Sequence, residues 1–282
     1  RHSSSAASDV YKRQVLSQIS VCQQKLGKYE ESLASNNKFL AEHLEHRLIA
    51  DDSFIKAENL FLLGRLDEAS KSYAEFLATH AEHPNQLAAS FRQAQIHHAS
   101  GRWAECLTTS AAIVAANPKG TLYSQLPFMI GDSLFRQEKW EEAVEPLSEF
   151  LSTRTTQTDD GISVTPGPNV DTAMIQLAVC HDRGGHKDKA LAQLDVVVNK
   201  YPGQTSQLPL ALAEQGRLAY ENENLPLART ALEKFRELDA SEDELFSKSA
   251  GKQRPRVDYY LGWVDALELS LIHISEPTRQ SP

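Results

Sequence analysis

GRLDEA at 64–69 and GRWAEC at 101–106 are one phrase written twice, 37 residues apart, and they decide the fold. The phrase recurs as GKYEES (27–32), EKWEEA (138–143), GHKDKA (185–190) and ENLPLA (223–228). Its last residue is always small: Ser32, Ala69, Cys106, Ala143, Ala190 and Ala228, at intervals of 37, 37, 37, 47 and 38. A second small column lies twelve residues before each: Ser20, Ala57, Ala94, Gly131, Ala178 and Gly216, with Gly262 as a seventh member. Self-similarity at a fixed period of this length is the signature of a repeat architecture.

The phrase reads as a helix, a tight turn and a second helix. Gly tolerates the positive φ with which a helix commonly ends, and Glu or Asp in the next first turn suits the helix dipole. Tyr29, Leu66, Trp103, Trp140 and Leu225, two residues after the turn begins, are placed to fill the gap between the helices. Small columns mark where two backbones approach too closely for a large side chain. A third column, Phe39, Phe76, Ile113, Phe150, Val197 and Phe235, lies two helical turns past the small residue and on the same face. Its ordinary reading is core packing. Pro84, Asn117-Pro118 and Tyr201-Pro202 close several units. A single hairpin cannot bury its apolar face alone, so the units are expected to stack.

This pattern resembles the tetratricopeptide repeat over nearly all of residues 15–268. The specific part is the G-x-[YLW]-x-E-[AS] turn with its upstream small residue. The period is about three residues longer than the standard repeat, and the second helix favours Phe where the family has Ala. Both departures, with the unit endings FLATHAEHP (76–84) and VVVNKYP (196–202), resemble an envelope-associated bacterial branch. That branch includes outer-membrane assembly lipoproteins and cell-division coordinators. The resemblance implies an all-α, right-handed superhelical solenoid of antiparallel helix hairpins, about six units plus one helix. It also implies a protein-interaction scaffold with no catalytic site, acting in a bacterial envelope assembly. A cytoplasmic scaffold, or the regulatory array of an enzyme, would carry the same repeats.

The two ends read differently. Asp9-Val10-Tyr11-Lys12-Arg13-Gln14 can be encoded by GATGTGTATAAGAGACAG, whose reverse complement translates as LSLIHI, the peptide at 269–274. The string resembles the mosaic end of a transposase-based sequencing library, and SSAAS (4–8) and SEPTR (275–279) resemble adapter continuations. Residues 1–14 and 269–282 are therefore set apart as adapter-like, and 15–268 is expected to be an internal piece of a longer gene. Within it, units one to four are expected over 15–151 and a polar loop insertion over 152–169. Units five and six should occupy 170–238, a second loop 239–254, and the first helix of a seventh unit 255–268.

Composition narrows the chemistry. The 282 residues are 41% hydrophobic and 24% charged, too apolar for a disordered chain. No apolar run approaches the roughly 18–20 residues of a membrane helix. The net charge is −9, and −11 once the ends are set apart, which argues against nucleic acid as a partner. Cys22, Cys106 and Cys180 fall where a small buried residue is wanted, and free Cys acts there as a small hydrophobe. His43/His46 and His80/His83 have i,i+3 spacing, and His97, His98 and His181 sit near first-helix ends. Zinc would need three or four converging ligands, and their positions at helix ends account for them. Asp159-Asp160-Gly161 lacks the alternating ligands and distal Glu of a calcium loop. No phosphate loop, dinucleotide fingerprint or nucleophile elbow is present. No cofactor or metal is called for, and the oligomeric state is open.

What remains is the face of the first helices. Phe54, Phe91, Phe128 and Ile175 lie three residues before the small column, and Phe61, His98, Phe135 and Asp182 two turns beyond them. By the family resemblance this is the concave groove, with Glu58, Arg92, Asp132 and Arg136 adding polar contacts. Such a surface suits a peptide or a partner helix; cementing of adjacent first helices is the competing reading. A Lys/Asn/Arg clamp for a C-terminal carboxylate is not matched, since Ile55, Arg92 and Met129 stand at those positions. The register itself predicts that Ala143→Leu overpacks a helix contact and costs about 1–3 kcal/mol. Chemical denaturation measures it, and a variant as stable as the parent would contradict the register.

Overall fold

The structure, a computed structural model, describes residues 2–42, 46–117, 123–158, 161–201, 205–241 and 243–275. His43, Pro118, Asp159, Asp160 and Pro202, singled out above, and half of the adapter-like C-terminal peptide (276–282) lie outside the described residues. The chain divides into two compact units, Arg1–Tyr123 and Ser124–Pro282.

The first unit is three antiparallel hairpins: α1 (His2–Lys25) with α2 (Tyr29–Glu42), α3 (Ile49–Leu62) with α4 (Leu66–Thr79), and α5 (Gln86–Ala99) with α6 (Trp103–Ala116). The second pairs α7 (Leu126–Arg136) with α8 (Trp140–Ser152), then inserts strands β1 (Thr155–Thr158) and β2 (Gly161–Val164). It continues with α9 (Val170–Arg183) and α10 (Lys187–Asp195), the latter extended by a π turn over Val196–Lys200. Then follow α11 (Leu208–Glu221) with α12 (Leu225–Ala240), a short α13 (Glu244–Ala250), and α14 (Arg254–Ser275). The all-α stack of hairpins expected from the repeat is what both units have.

Each hairpin turn carries the same hydrogen bond. The amide of Arg65 donates to the carbonyl of Leu60 at 2.9 Å, and Lys28 to Gln23, Arg102 to His97, Lys139 to Leu134, His186 to His181 and Asn224 to Ala219 repeat it. This is the six-to-one bond of a left-handed helix stop. Gly27, Gly64, Gly101 and Gly185 supply the positive φ it needs, whereas Glu138 and Glu223 adopt φ of 59° and 60° in its place.

Both small columns are buried except at Gly262, and so is the Phe-rich third column. A methyl group on Gly131 would lie 2.6 Å from Cγ of Leu147, and one on Gly216 2.5 Å from Cγ of Leu232. First and second helices are thus in backbone-to-side-chain contact at this register. Phe76, Tyr73, Leu60 and Ile96 join Ala57, Ala69 and Ala89 in the core of the first unit. In the second, Leu212, Leu232 and Phe235 pack with Val257, Leu261 and Val264 of α14.

Between the first two hairpins the interface is polar. Buried Asp52 of α3 accepts from Ser17 Oγ (2.5 Å), Asn36 Nδ2 (2.7 Å) and Ser20 Oγ (3.2 Å). Asn59 donates to Ser32 Oγ (2.7 Å) and Asn36 Oδ1 (2.9 Å), and accepts from Gln24 (3.1 Å). Burial pushes the Asp52 carboxyl above its ordinary range.

Two segments read as loops are ordered otherwise. Within 152–169 the chain forms an antiparallel hairpin pairing Thr155 with Val164 and Gln157 with Ile162. Of its eight strand residues Val164 alone is buried, so no alternating apolar pattern announced it. Within 239–254, Asp243 caps α13 by accepting from the amides of Leu245 (2.9 Å) and Phe246 (3.1 Å), and Phe246 packs edge-on to Phe235 at 5.2 Å. A seven-residue helix is too short to show a period.

A left-handed conformation costs a non-glycine residue about 1 kcal/mol or more. Glu138→Gly and Glu223→Gly are each expected to raise stability by roughly 0.5–1 kcal/mol after the entropy of the added glycine is subtracted. Thermal unfolding checks this, with Gly64→Glu as the destabilising counterpart.

Candidate functional site

On the first-helix face of the first unit, α3 and α5 are joined by a forked ion pair. Arg92 Nε donates to Glu58 Oε1 at 2.9 Å and Nη2 to Oε2 at 3.1 Å, while Nη1 reaches Gln95 at 3.0 Å. The Tyr73 hydroxyl of α4 donates to the same Glu58 oxygen. The Arg92 guanidinium lies over the Phe61 ring, 4.7 Å from its centroid. Burial, and then the Glu58 charge, push the Tyr73 phenol well above its usual range, so it stays a donor. Burial works against the Arg92 charge, but its bonds to Glu58 prevail and hold it ionised.

The aromatic residues of this face divide into three groups. Phe91 stacks on Tyr123 with centroids 4.1 Å apart and planes 15° from parallel. His98 meets Trp103 edge-on at 5.4 Å. Phe54 turns into its own hairpin, against Phe76 at 5.5 Å and Tyr73 at 6.2 Å. Phe54, Phe91 and His98 are half-buried, whereas Phe76 and Tyr73 are buried.

In the second unit the same register looks different. Phe128, expected on the groove wall, is buried against Phe150 at 5.3 Å and is a core side chain. The reason is local: a ring on α7 at this register leans onto its own second helix and fills the hairpin. Phe135 packs edge-on to Trp140 at 5.1 Å. Asp132 is buried, accepting from Gln176 of α9 and from Arg136 Nε at 3.3 Å, and Arg136 itself is exposed. Asp182 binds Arg217 of α11 at 2.6 Å, and Glu214 binds Arg256 of α14 at 2.5 Å.

Structure therefore gathers Glu58, Phe61 and Arg92 into one cluster, and Asp132 and Arg136 into another. The pairs Glu58–Arg92 and Asp132–Gln176 occupy one register: the residue after the small column, against the residue two before it on the next first helix. These side chains tie neighbouring repeats. Tyr73, Tyr123 and Gln176 were missed by sequence reasoning. Tyr73 had a signal, since it stands at the second-helix position that Leu147 and Leu232 hold in other repeats.

Cys106 and Cys180 are buried, and burial pushes the Cys180 thiol up to about 12. Cys22, read as buried, is exposed. Among the described residues no group of three or more His, Cys, Asp or Glu is placed to hold a metal ion. Nor is any helix there long and apolar enough to cross a membrane.

Residues 56–120 and 172–203 match the tetratricopeptide repeat family. These two segments, one in each compact unit, are thus tetratricopeptide repeats. No curated protein sequence gives a significant match. Among solved structures it resembles YrrB, described as a TPR protein with an unusual peptide-binding site, at 20% identity and a TM-score of 0.54, over 77% of this chain and 97% of that one. It also resembles MamA from Desulfovibrio magneticus RS-1 (17%, TM-score 0.51, over 66% and 93%). A third likeness is to PilF of Pseudomonas aeruginosa (15%, TM-score 0.50, over 84% and 95%). At these identities the likeness is one of fold.

His97 and His181 share one register in the two units, and both are held below the ordinary value of 6.5, first by burial and then by Arg102 and Lys189 respectively. The folded state therefore resists a proton that the unfolded chain accepts. Stability is unaffected above pH 6.5 and falls as pH drops from there toward the folded values. Replacing both by Leu, the residue at this register in Leu60 and Leu134, is expected to flatten the stability profile between about pH 7 and 5, as read by urea denaturation.

Proposed function

We propose that the chain is a non-catalytic scaffold that binds an extended or helical peptide on its first-helix face. The supporting observation is that Phe61, Phe91 and His98 are half-buried on this face and that the Arg92 guanidinium, over the Phe61 ring, is fixed by Glu58. A rigid aromatic surface with a pre-positioned cation takes up apolar side chains at low entropic cost. Asp132, Phe135 and Arg136 belong to the same reading in the second unit, and Phe54 and Phe128 support it from behind. The peptide-binding site named for YrrB is in keeping with this role. The partner is a protein and not a nucleic acid, in keeping with the net charge of −9. The setting we propose is a bacterial envelope assembly, on the strength of the unit endings at 76–84 and 196–202. A signal peptide or lipid-attachment site upstream in the full gene tests that setting, and a cytosolic partner would overturn it.

Peptide selection against the full chain from a displayed random library tests the scaffold. Selected peptides should carry bulky apolar residues and lose at least about tenfold in affinity to Phe91→Ala, the scale of one aromatic contact. Phe128→Ala should instead cost about 3–5 kcal/mol of stability. Failure to enrich any sequence, or affinity indifferent to Phe91, would sink the reading.

A further inference from the structure

We infer that the second unit carries a further peptide site, on its second-helix side. An extended, uncharged segment of a partner protein pairs with the outer edge of β1 and sets an apolar side chain into the cavity beside it. That cavity, of about 440 Å³, lies between α8 and α10. Leu151, Met174, Leu177 and Val196, all buried, form its floor. The β1–β2 hairpin walls it through Thr155, Thr156, Gln157 and Ile162.

The repeat register supplies a comparison within the same chain. Counted from the small residues, a cavity of about 490 Å³ in the first unit occupies the same groove. There Leu40, Lys56 and Glu75 stand where the second unit has Leu151, Leu177 and Val196. Two charges keep such a groove hydrated. At the Val196 register, six after the small column, the other second helices carry Lys38, Glu75, Ala112, Glu149 and Lys234. Aliphatic side chains thus replace the charges in the repeat that follows the inserted hairpin. The hairpin covers part of this apolar groove and leaves the rest open: Val164 is 3% exposed, while Ile162, next on the same face, is 38%.

The strand edge decides what enters the open part. The Thr165 amide donates to the Arg154 carbonyl at 2.8 Å, and the ladder alternates from that pair. Thr156 and Thr158 therefore bond across to β2, and the main-chain groups of Thr155 and Gln157 point away from it. Among the described residues the sheet has two strands, so no third strand takes these groups up. The side chains of Thr156 and Gln157 leave opposite faces of the sheet. Both nevertheless line the cavity, which therefore runs along this edge and not under one face.

An apolar hollow beside an open strand edge is the arrangement by which a peptide strand is added to a sheet. Main-chain bonds supply affinity and the hollow selects alternate side chains. Charge complementarity fixes the rest. None of the residues lining the cavity is ionisable, so a charged side chain would lose its water there without gaining a partner. The occupant therefore presents Val, Ile or Leu inward. A free hydrocarbon chain would fill the hollow but leave the edge groups of Gln157 unpaired. Pairing over so few residues is weak, with a dissociation constant on the order of 1 mM.

Nuclear magnetic resonance of the full chain tests this, with a blocked peptide of alternating threonine and valine between terminal lysines titrated to about 5 mM. The amides of Gln157 and Val196 should shift together, and exchange of the Gln157 amide with solvent should slow. Gln157→Pro removes the outward amide at an edge position, where proline is tolerated, and should abolish these shifts with helicity unchanged. Ser148→Arg, at an exposed position of α8, sets a charge at the cavity mouth and should do the same. The peptide N-methylated at its valines should not bind. Phe91→Ala should leave binding as it is; a loss there would put the peptide on the first-helix face and overturn the proposal. So would the absence of shifts at the highest concentration, or an N-methylated peptide that binds as well as its parent. Binding of 1-decanol without binding of the peptide would make the cavity a hydrocarbon site and overturn it too.

Discussion

A single close approach organises each hairpin. Leu147 and Leu232 sit so near Gly131 and Gly216 that a β-carbon there would collide with them, and Ala or Ser stands at this position in the other hairpins. Once first and second helices are held at that distance, the residues a turn away must face inward. This is why Phe39, Phe76, Phe150 and Phe235 are buried in turn. The left-handed stop fixes where the second helix begins, and with it which side chains share a level. Where Glu138 and Glu223 replace glycine, the bond persists despite the backbone cost, so packing overrides local preference there.

With hairpins set by apolar contact, neighbouring repeats are registered largely by polar ones. Glu58–Arg92, Asp132–Gln176, Asp182–Arg217 and Glu214–Arg256 each span one repeat between first helices. The Asp52–Asn59 network does the same between the first two hairpins. A buried pair of this kind contributes less to stability than to choice, because a shifted register would strand a charge without its partner. It also commits these charges to one another and fixes the Arg92 guanidinium over the Phe61 ring.

Both small columns and the Phe column were legible because each depends on residue size at a fixed interval. The candidate site was legible by half. Phe61, Arg92 and Glu58 come together, but Phe128, at the register of the half-buried Phe91, turns inward. Spacing gives a direction around the helix axis, not the depth at which a ring finally rests. The β1–β2 hairpin and α13 were invisible for a different reason, being too short or too polar to carry a period. Cys22 was misjudged because register alone does not say whether a neighbour is there to cover it.

The sequence by itself determined the hairpin, its period and the class of surface it builds, since small residues and helix stops act within some 40 contiguous residues. Tertiary structure decided what those faces meet. Val15 and Val257 stand at one register and are chemically the same, yet one is bare and the other fully covered. Burial belongs to the pair of surfaces and not to the residue, so it is settled only when the chain has folded around it.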